Sequence, residues 1–202
     1  MLPVNCYVLW DDTLEAVVVD AGMFFPGETQ AMKDFLNAHH LQVKHLLNTH
    51  LHFDHVLGNA YMWQEYGLRT EAAVQDEYCI TDFREEMHRF GIRVNGDVPA
   101  VGHYLEDGED IAFGHTHLAV LHVPGHSPGS VAFYHAGEHC VLTGDTLFKE
   151  TVGRTDLKNG NYKDLMSSIH TKLLVLPDDT VVWPGHGDST TIGHEKLSNP
   201  YL

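Results

Sequence analysis

The chain has 202 residues, a formal net charge of −16 and a hydrophobic content of 43%. This length predicts one domain, residues 1–202, with a buried core. We find no apolar run near the ~20 residues that cross a bilayer, and only 12 Lys and Arg residues are spread along the chain. Nucleic acid and membrane surfaces are therefore not expected as partners.

The start of the chain and the cysteines indicate a cytoplasmic protein. Residues 1–6 have neither the basic nor the apolar region of a signal peptide. Cys6, Cys79 and Cys140 have no CxxC spacing, so they predict reduced, mostly buried thiols and not a disulfide framework or a zinc ribbon. No particular oligomeric state is indicated.

The first half of the chain alternates predicted strands and helices. Strands are expected at 5–9, 15–20 and 43–47, and helices at 29–39 and 60–66. The continuous apolar run from Ala16 to Val19 is typical of a strand buried on both faces. Gly67 is a suitable C-cap for the second helix.

Another helix is predicted at 74–90, followed by an irregular stretch to about residue 107 that contains Gly91, Gly96, Pro99 and Gly102. We expect this stretch to form a wall of a substrate site. Short strands follow at 111–113, 118–123, 131–134, 140–142 and 180–183, with a helix at 163–174. The sum is a mixed α/β protein.

Four potential metal ligands lie within six residues: His50, His52, Asp54 and His55. The stretch looks too short for a helix face. The two-residue spacing from His50 to Asp54 is that of an extended segment, so these side chains point the same way and His55 points to the other side. A set displayed on two sides suits two neighbouring metals. A histidine-rich surface loop is the alternative, because the chain contains 17 histidines.

Three later segments place one metal-binding residue directly after an apolar strand and a turn with glycine. His126, Asp145 and His186 occupy these positions. Glycine permits the turn conformations that are needed there, and the carboxyl ends of strands form the ligand-binding edge of open α/β sheets. We therefore expect the four segments to converge on one site.

Together the four segments supply seven candidate ligands: His50, His52, Asp54, His55, His126, Asp145 and His186. Two sets of three with one shared carboxylate account for all seven and leave a place for a bridging hydroxide. Imidazole and carboxylate suit zinc, iron and manganese. We expect two divalent metal ions, zinc first, with iron or manganese as alternatives.

The series HxHxDH, His, Asp and His resembles the metallo-β-lactamase superfamily over essentially the whole chain. The resemblance implies an α/β protein with the αβ/βα four-layer sandwich of that family and a dinuclear centre at one edge. It also implies the ligand sets. The first metal would take His50, His52 and His126, the second would take Asp54, His55 and His186, and Asp145 would bridge them.

Within this superfamily the chain looks most similar to the glyoxalase II, or hydroxyacylglutathione hydrolase, branch. The likeness rests on residues 5–7, 20–22, 125–130 and 144–148. Residues 153–156 and 190–201 are similar to a short bacterial subtype without the C-terminal helical domain. Longer members use that domain to hold much of the glutathione.

This resemblance implies a metal-dependent hydrolase of small-molecule thioesters of the S-2-hydroxyacylglutathione type. The reaction would use a metal-bridging hydroxide, and Asp54 would both bind a metal ion and orient this nucleophile. A leaving thiolate with a pKa near ~8.5 does not strictly need a general acid, and the motifs contain no convincing one. Thioesters and esters are therefore favoured over peptides. Lys149 and Arg154 are candidate contacts for a substrate carboxylate, with a surface ion pair as the alternative.

Other functions stay open. One is a mononuclear iron persulfide dioxygenase on the same scaffold, another is a lactone or ester hydrolase, and a third is a metal- or glutathione-binding protein without turnover. The negative charge argues against a nuclease. A lactamase is disfavoured because Asp145 stands where lactamases with two metals commonly have cysteine.

Overall fold

The computed structural model describes residues 3–94 and 97–202, so Gly96 of the predicted irregular stretch lies outside it. The strands are β1 (Tyr7–Trp10), β2 (Glu15–Val19), β3 (Gln42–Leu47), β4 (Thr70–Ala72), β5 (His103–Tyr104), β6 (Asp110–Phe113), β7 (Thr116–His122), β8 (Val131–His135), β9 (Cys140–Gly144), β10 (Leu147–Phe148), β11 (Thr151–Val152), β12 (Val181–Pro184) and β13 (Thr190–Thr191). The helices are α1 (Pro26–Ala38), α2 (Phe53–Val56), α3 (Asn59–Tyr66), α4 (Glu77–Arg89), α5 (Tyr162–Ser168) and α6 (Ile192–Ser198).

Two sheets form the centre of the molecule. The first has five strands in the order β1-β2-β3-β4-β5, and the second has six in the order β13-β12-β9-β8-β7-β6. In the first sheet β2, β3, β4 and β5 run parallel, while in the second only β9 and β12 pair in parallel. Strands β10 and β11 form a separate antiparallel hairpin.

Apolar side chains fill three layers between and outside the sheets. Val17 and Val19 pack between the sheets with Phe133 of the second sheet. Val18, on the other face of β2, packs with Met62 of α3. On the far face of the second sheet, Leu165 and other residues of the α5 region pack on the strands. The fold is therefore the four-layer αβ/βα sandwich, and β2 is buried on both faces as its sequence predicted.

Helix α1 begins three residues before the predicted start at Thr29. Pro26 occupies its first turn, where the missing N–H is no loss. The Glu28 carboxylate accepts hydrogen bonds from the backbone N–H groups of Phe24 and Phe25, both at 2.8 Å. This local capping extends the helix beyond its amphipathic part, which is why the hydrophobic pattern alone placed the start too late.

The histidine-rich segment is extended only as far as His52, and α2 begins at Phe53. The expectation that Asp54 continues the extended series and points the same way as His50 and His52 was wrong, because Asp54 and His55 both lie on this single helical turn. Successive residues on a helix point about 100° apart, so the turn directs Asp54 and His55 away from the direction of His50 and His52. The split of the cluster into two sets follows from this change of backbone conformation.

Several short elements had no clear signal in the sequence. Among them are β4, β5, the β10–β11 hairpin and α6. The predicted helix at 163–174 is α5 followed by a π-helical turn, Ile169–Leu173. The three cysteines are free, in agreement with their spacing. Within the described residues, no helix has the length and apolar character that a membrane crossing requires.

Candidate metal centre

The seven predicted ligands come together at one edge of the two sheets. His50 follows β3 of the first sheet, whereas His126, Asp145 and His186 follow β7, β9 and β12 of the second. Because these strands end at the same edge, four segments that are distant in sequence converge there. The arrangement agrees with the expected position of ligands at the carboxyl ends of strands.

One set of ligand atoms belongs to His50, His52 and His126, whose atoms lie within 4.8 Å of one another. The closest pair is His52 Nδ1 and His126 Nε2, at 2.9 Å. His50 and His126 are buried, and His52 is half-buried. Three imidazoles that share so small a volume could hold one metal ion.

A second set consists of Asp54, His55 and His186, again within 4.8 Å of one another. Asp54 Oδ2 lies 3.4 Å from His186 Nε2 and 4.0 Å from His55 Nε2. Two imidazoles and a carboxylate are a donor set that zinc, iron and manganese all accept.

Asp145 lies between the two sets. Its Oδ1 atom is 3.5 Å from His55 Nε2, and its Oδ2 atom is 3.6 Å from His126 Nε2 and 3.5 Å from His186 Nε2. The carboxylate therefore reaches ligand atoms of both sets. This position suits the bridging role that the family resemblance implies.

Outer hydrogen bonds orient the histidine rings. His126 Nδ1 donates to the carbonyl oxygen of Arg154 at 2.8 Å, and His186 Nδ1 donates to that of Pro3 at 2.6 Å. His55 Nδ1 lies 3.0 Å from Asp20 Oδ2. A proton held on Nδ1 leaves Nε2 as the free lone pair that faces the centre, which is the usual arrangement for metal-binding histidines.

The two ligand sets differ in the pKa values of their histidines. Burial, reinforced by the neighbouring imidazoles, holds the pKa of His50 well below its usual value, and burial lowers the pKa of His52 to about 3. In the second set, hydrogen bonds to Asp145 and Asp54 raise the pKa of His186 to about 11. Neutral imidazoles are ready to bind a metal, and a bound metal would replace the proton that His186 otherwise holds between two carboxylates.

Several of these ligand atoms also suit a metal site because they lack hydrogen-bond partners. Among the described residues, His50 Nε2, His55 Nε2 and Asp145 Oδ1 are buried polar atoms with no hydrogen-bond partner. Burying such atoms without compensation costs free energy. Metal ions that bind all three would satisfy them, so the residues present fit a dinuclear centre.

Asp76 holds the first set in place, although no local pattern in the sequence marks it. Its carboxylate is buried and accepts hydrogen bonds from Ser127 Oγ at 2.7 Å, Gly129 N at 2.7 Å and Leu51 N at 3.3 Å. Leu51 lies between two ligands and Ser127 adjoins a third. One carboxylate therefore connects both loops that carry the first set.

Gly185, next to His186, lacks a side chain because the centre leaves no room for one. A Cβ atom there would lie 2.2 Å from Asp145 Oδ1 and 2.8 Å from His55 Cε1. Asp145 and His55 would have to move apart to accommodate a methyl group.

We expect Gly185→Ala to weaken metal binding by about 10- to 100-fold, the range typical of changes that displace metal ligands indirectly. Metal titration of the apoprotein measures this. Gly27→Ala is the matched control, since a Cβ atom at Gly27 meets nothing within 4 Å. Equal metal affinity of both variants would show that the ligands tolerate the methyl group.

Lys149 and Arg154, the predicted contacts for a substrate carboxylate, lie on the surface near the centre. Arg154 Nε and Nη2 donate to the two oxygens of Asp156 at 2.7 and 2.8 Å, and Lys149 Nζ lies 3.9 Å from Asp188 Oδ2. Their contact with substrate stays a prediction. The carbonyl group of Arg154 has a definite role here, as the acceptor for His126.

Comparisons with known proteins agree with this geometry. The family model described as the metallo-beta-lactamase superfamily matches residues 1–186. A hydroxyacylglutathione hydrolase of Haemophilus influenzae, GloC, is 37% identical over 205 residues, which cover 98% of this chain and 92% of that protein.

Two solved structures are similar over nearly their whole length. The B3 metallo-beta-lactamase BLEG-1 has a TM-score of 0.88 and 35% identity, covering 98% of this chain and 94% of that one. The protein TTHA1623 in a di-iron-bound form has a TM-score of 0.85 and 34% identity, covering 100% of this chain and 96% of that one.

Proposed function

The chain belongs to the metallo-beta-lactamase superfamily, and from this premise we propose that it is a dinuclear metallohydrolase that cleaves thioesters of the S-2-hydroxyacylglutathione type. The observation that carries the proposal is the complete set of seven ligands in two groups joined by Asp145. Support for the substrate class comes from the similarity to GloC, whose name states that activity.

The seven side chains divide the work. His50, His52 and His126 would hold one metal ion, Asp54, His55 and His186 would hold the other, and Asp145 lies where it would contribute to both. When bound, such ions would lower the pKa of water to about 7 and would polarise the carbonyl group that is attacked.

Asp54 is the residue to which we assign a catalytic role besides ligation. It is half-buried, and the hydrogen bond with His186 holds its pKa below the usual value although burial opposes this. The carboxylate is therefore ionised and can accept a hydrogen bond from an attacking water, which orients the water toward the substrate. All seven side chains are engaged as ligands, so none is free to protonate a leaving group. A thiol is the leaving group that depends least on such help, since its pKa is near ~8.5.

Metal identity is a separate question. The similarity to a di-iron protein favours a test for iron beside zinc and manganese. Measuring the metal-to-protein ratio with element identification answers it. Two metal ions per chain agree with the proposal, whereas a single iron and thiol-dependent oxygen uptake would favour a persulfide dioxygenase.

β-Lactam hydrolysis is a second candidate, because BLEG-1 is a B3 metallo-beta-lactamase with 35% identity. The similarity to BLEG-1 favours a lactamase, whereas Asp145 disfavours one because lactamases with two metals commonly have cysteine at that position. Chemistry favours thioesters, since a lactam nitrogen must be protonated as the ring opens and the seven side chains are all assigned as ligands.

The proposal predicts that metal-loaded protein hydrolyses S-D-lactoylglutathione with kcat/KM at or above ~10⁴ M⁻¹s⁻¹, the lower end of the usual range for enzymes acting on their own class of substrate. Thiol release measures the reaction, and a lactone, a simple ester and a chromogenic cephalosporin serve as comparison substrates. Faster turnover of one of these, with no thioester cleavage, would reject the thioester assignment while leaving the metal centre intact.

A further inference from the structure

A cavity of about 450 Å³ opens beside Asp54, on the side of the second ligand set. This volume is within the ~300–1,000 Å³ range of small-molecule sites. Most of its wall is apolar, formed by side chains that include Val4, Cys6, Met23, Phe24, Phe25 and Met32. A group that enters it from the metal centre therefore leaves water for an apolar surface.

The few polar side chains of this cavity are already engaged. Glu28 uses one carboxylate oxygen to accept from the N–H groups of Phe24 and Phe25. Burial raises the pKa of the Cys6 thiol to about 12, so it stays neutral and behaves as a small apolar group. Asp54 belongs to the metal centre. Among the described residues, the wall thus offers a substrate little besides apolar contact.

A second cavity of about 450 Å³ adjoins His52, on the side of the first ligand set, and more charged side chains line it. It contains the ion pairs of Lys158 with Asp82 and of Arg89 with Glu85. A thioester has one acyl and one thiol end, and each cavity adjoins a ligand of one metal. The difference between the two walls determines which end each would take.

We infer that the cavity beside Asp54 is an acyl subsite that selects apolar acyl groups larger than lactoyl. The polar, thiol-bearing half of the substrate would then lie toward the charged cavity beside His52. The inference rests on the proposed function. The volume corresponds to roughly fifteen water-sized groups at ~30 Å³ each, far more than the single methyl group of a lactoyl chain needs. Substrates with a medium-length apolar chain, such as hexanoyl, fill it better.

Chain length is the first test. For glutathione thioesters in the series acetyl, butanoyl and hexanoyl, we expect kcat/KM to rise about fourfold per methylene, because burying one CH₂ group contributes ~0.8 kcal/mol. A flat series would overturn the acyl subsite while leaving thioester hydrolysis in place. Absence of turnover for every thioester would instead reject the proposed function.

The second test is a substitution that fills the cavity. Ala31 lies on the exposed side of α1 and lines the cavity, so Ala31→Trp adds bulk without changing the core. We expect it to lower kcat/KM for the hexanoyl thioester about tenfold more than for the acetyl thioester, as for other hydrophobic pockets that lose room. Ala38→Trp, at the exposed end of the same helix, is the matched control and should leave the ratio unchanged.

Binding of hexanoate gives a readout that does not depend on turnover. Calorimetry should show tighter binding of hexanoate than of acetate to the wild-type protein and to Ala38→Trp, with the preference lost in Ala31→Trp. Equal binding of the two acids to the wild type, or a preference that survives in Ala31→Trp, would contradict the subsite.

Discussion

Replacing Asp145 by alanine is expected to release bound metal and to lower kcat/KM for thioester hydrolysis by at least about 1,000-fold. Changes in residues that only support metal ligands already cost 10- to 100-fold, and Asp145 contacts ligand atoms of both sets. Its loss also removes one of the carboxylates that balance the charge of the His55 and His186 imidazoles. Each metal would lose a ligand, and the two sets would lose their connection.

The measurement is elemental analysis after dialysis, combined with thiol release under saturating metal. Asp145→Asn keeps the shape of the side chain and one neutral oxygen, so its activity should lie between wild type and Asp145→Ala. Asp179→Ala is the matched control, since this carboxylate is 70% exposed and pairs with His139 away from the centre. Wild-type metal content and turnover in Asp145→Ala would refute the bridging role.

Asp76→Ala is expected to lower the free energy of unfolding by about 2–6 kcal/mol, because it leaves the buried N–H groups of Leu51 and Gly129 without an acceptor at ~1–3 kcal/mol each. The Ser127 hydroxyl also loses its acceptor. A defect confined to packing would lower the free energy of unfolding without changing the order of metal release. Since Asp76 connects both loops of the first ligand set, we further expect one of the two metal ions to be lost first.

Urea unfolding gives the stability, and metal content at increasing chelator concentration gives the order of metal release. Asp76→Asn retains one acceptor and should lie between the other two proteins in both measurements. Glu85→Ala, on the exposed face of α4, is the control for changes in this region. Simultaneous release of both metals in Asp76→Ala would argue against a specific role for Asp76 in the first set.

The ligands were predictable because each follows a strong local pattern. His126, Asp145 and His186 stand directly after apolar strands with a glycine in the turn, so the sequence shows both the strand and the place where it ends. Strand ends that share a direction meet at one edge of the fold. The convergence of four segments thus required no knowledge of the side-chain packing.

Asp76 was missed because its partners are remote. Leu51 and Gly129 are 25 and 53 residues away, and nothing around Asp76 distinguishes it from an acidic residue at the start of a helix. The acyl subsite was missed for a similar reason, since its wall combines the segment around Val4 with part of α1 and with Asp54. Contacts of this kind depend on how elements pack, which local pattern does not report.

The helix α2 shows a different limit. Two-residue spacing from His50 to Asp54 fits an extended strand, and a four-residue helix has too few residues to produce a periodic pattern. The number of ligands predicted two sets of three with one shared carboxylate, and the family resemblance implied which residues belong to each set. The structure brings the same residues together. A short helical turn and a kinked loop present the same side chains, so residue types alone do not distinguish them.

The contacts of Pro3 and Asn5 with the segment around His186 join an early and a late part of the chain during synthesis. Pro3 accepts from His186 Nδ1 at 2.6 Å, and Asn5 Nδ2 donates to the carbonyl groups of Pro184 and Gly187 at 3.0 and 2.9 Å. The ~130 residues that separate His55 from His186 take about 7 to 26 s to synthesise at ~5–20 residues per second. During this interval the nascent chain carries an incomplete second set. The second ligand set is therefore complete only after residue 186 has been translated.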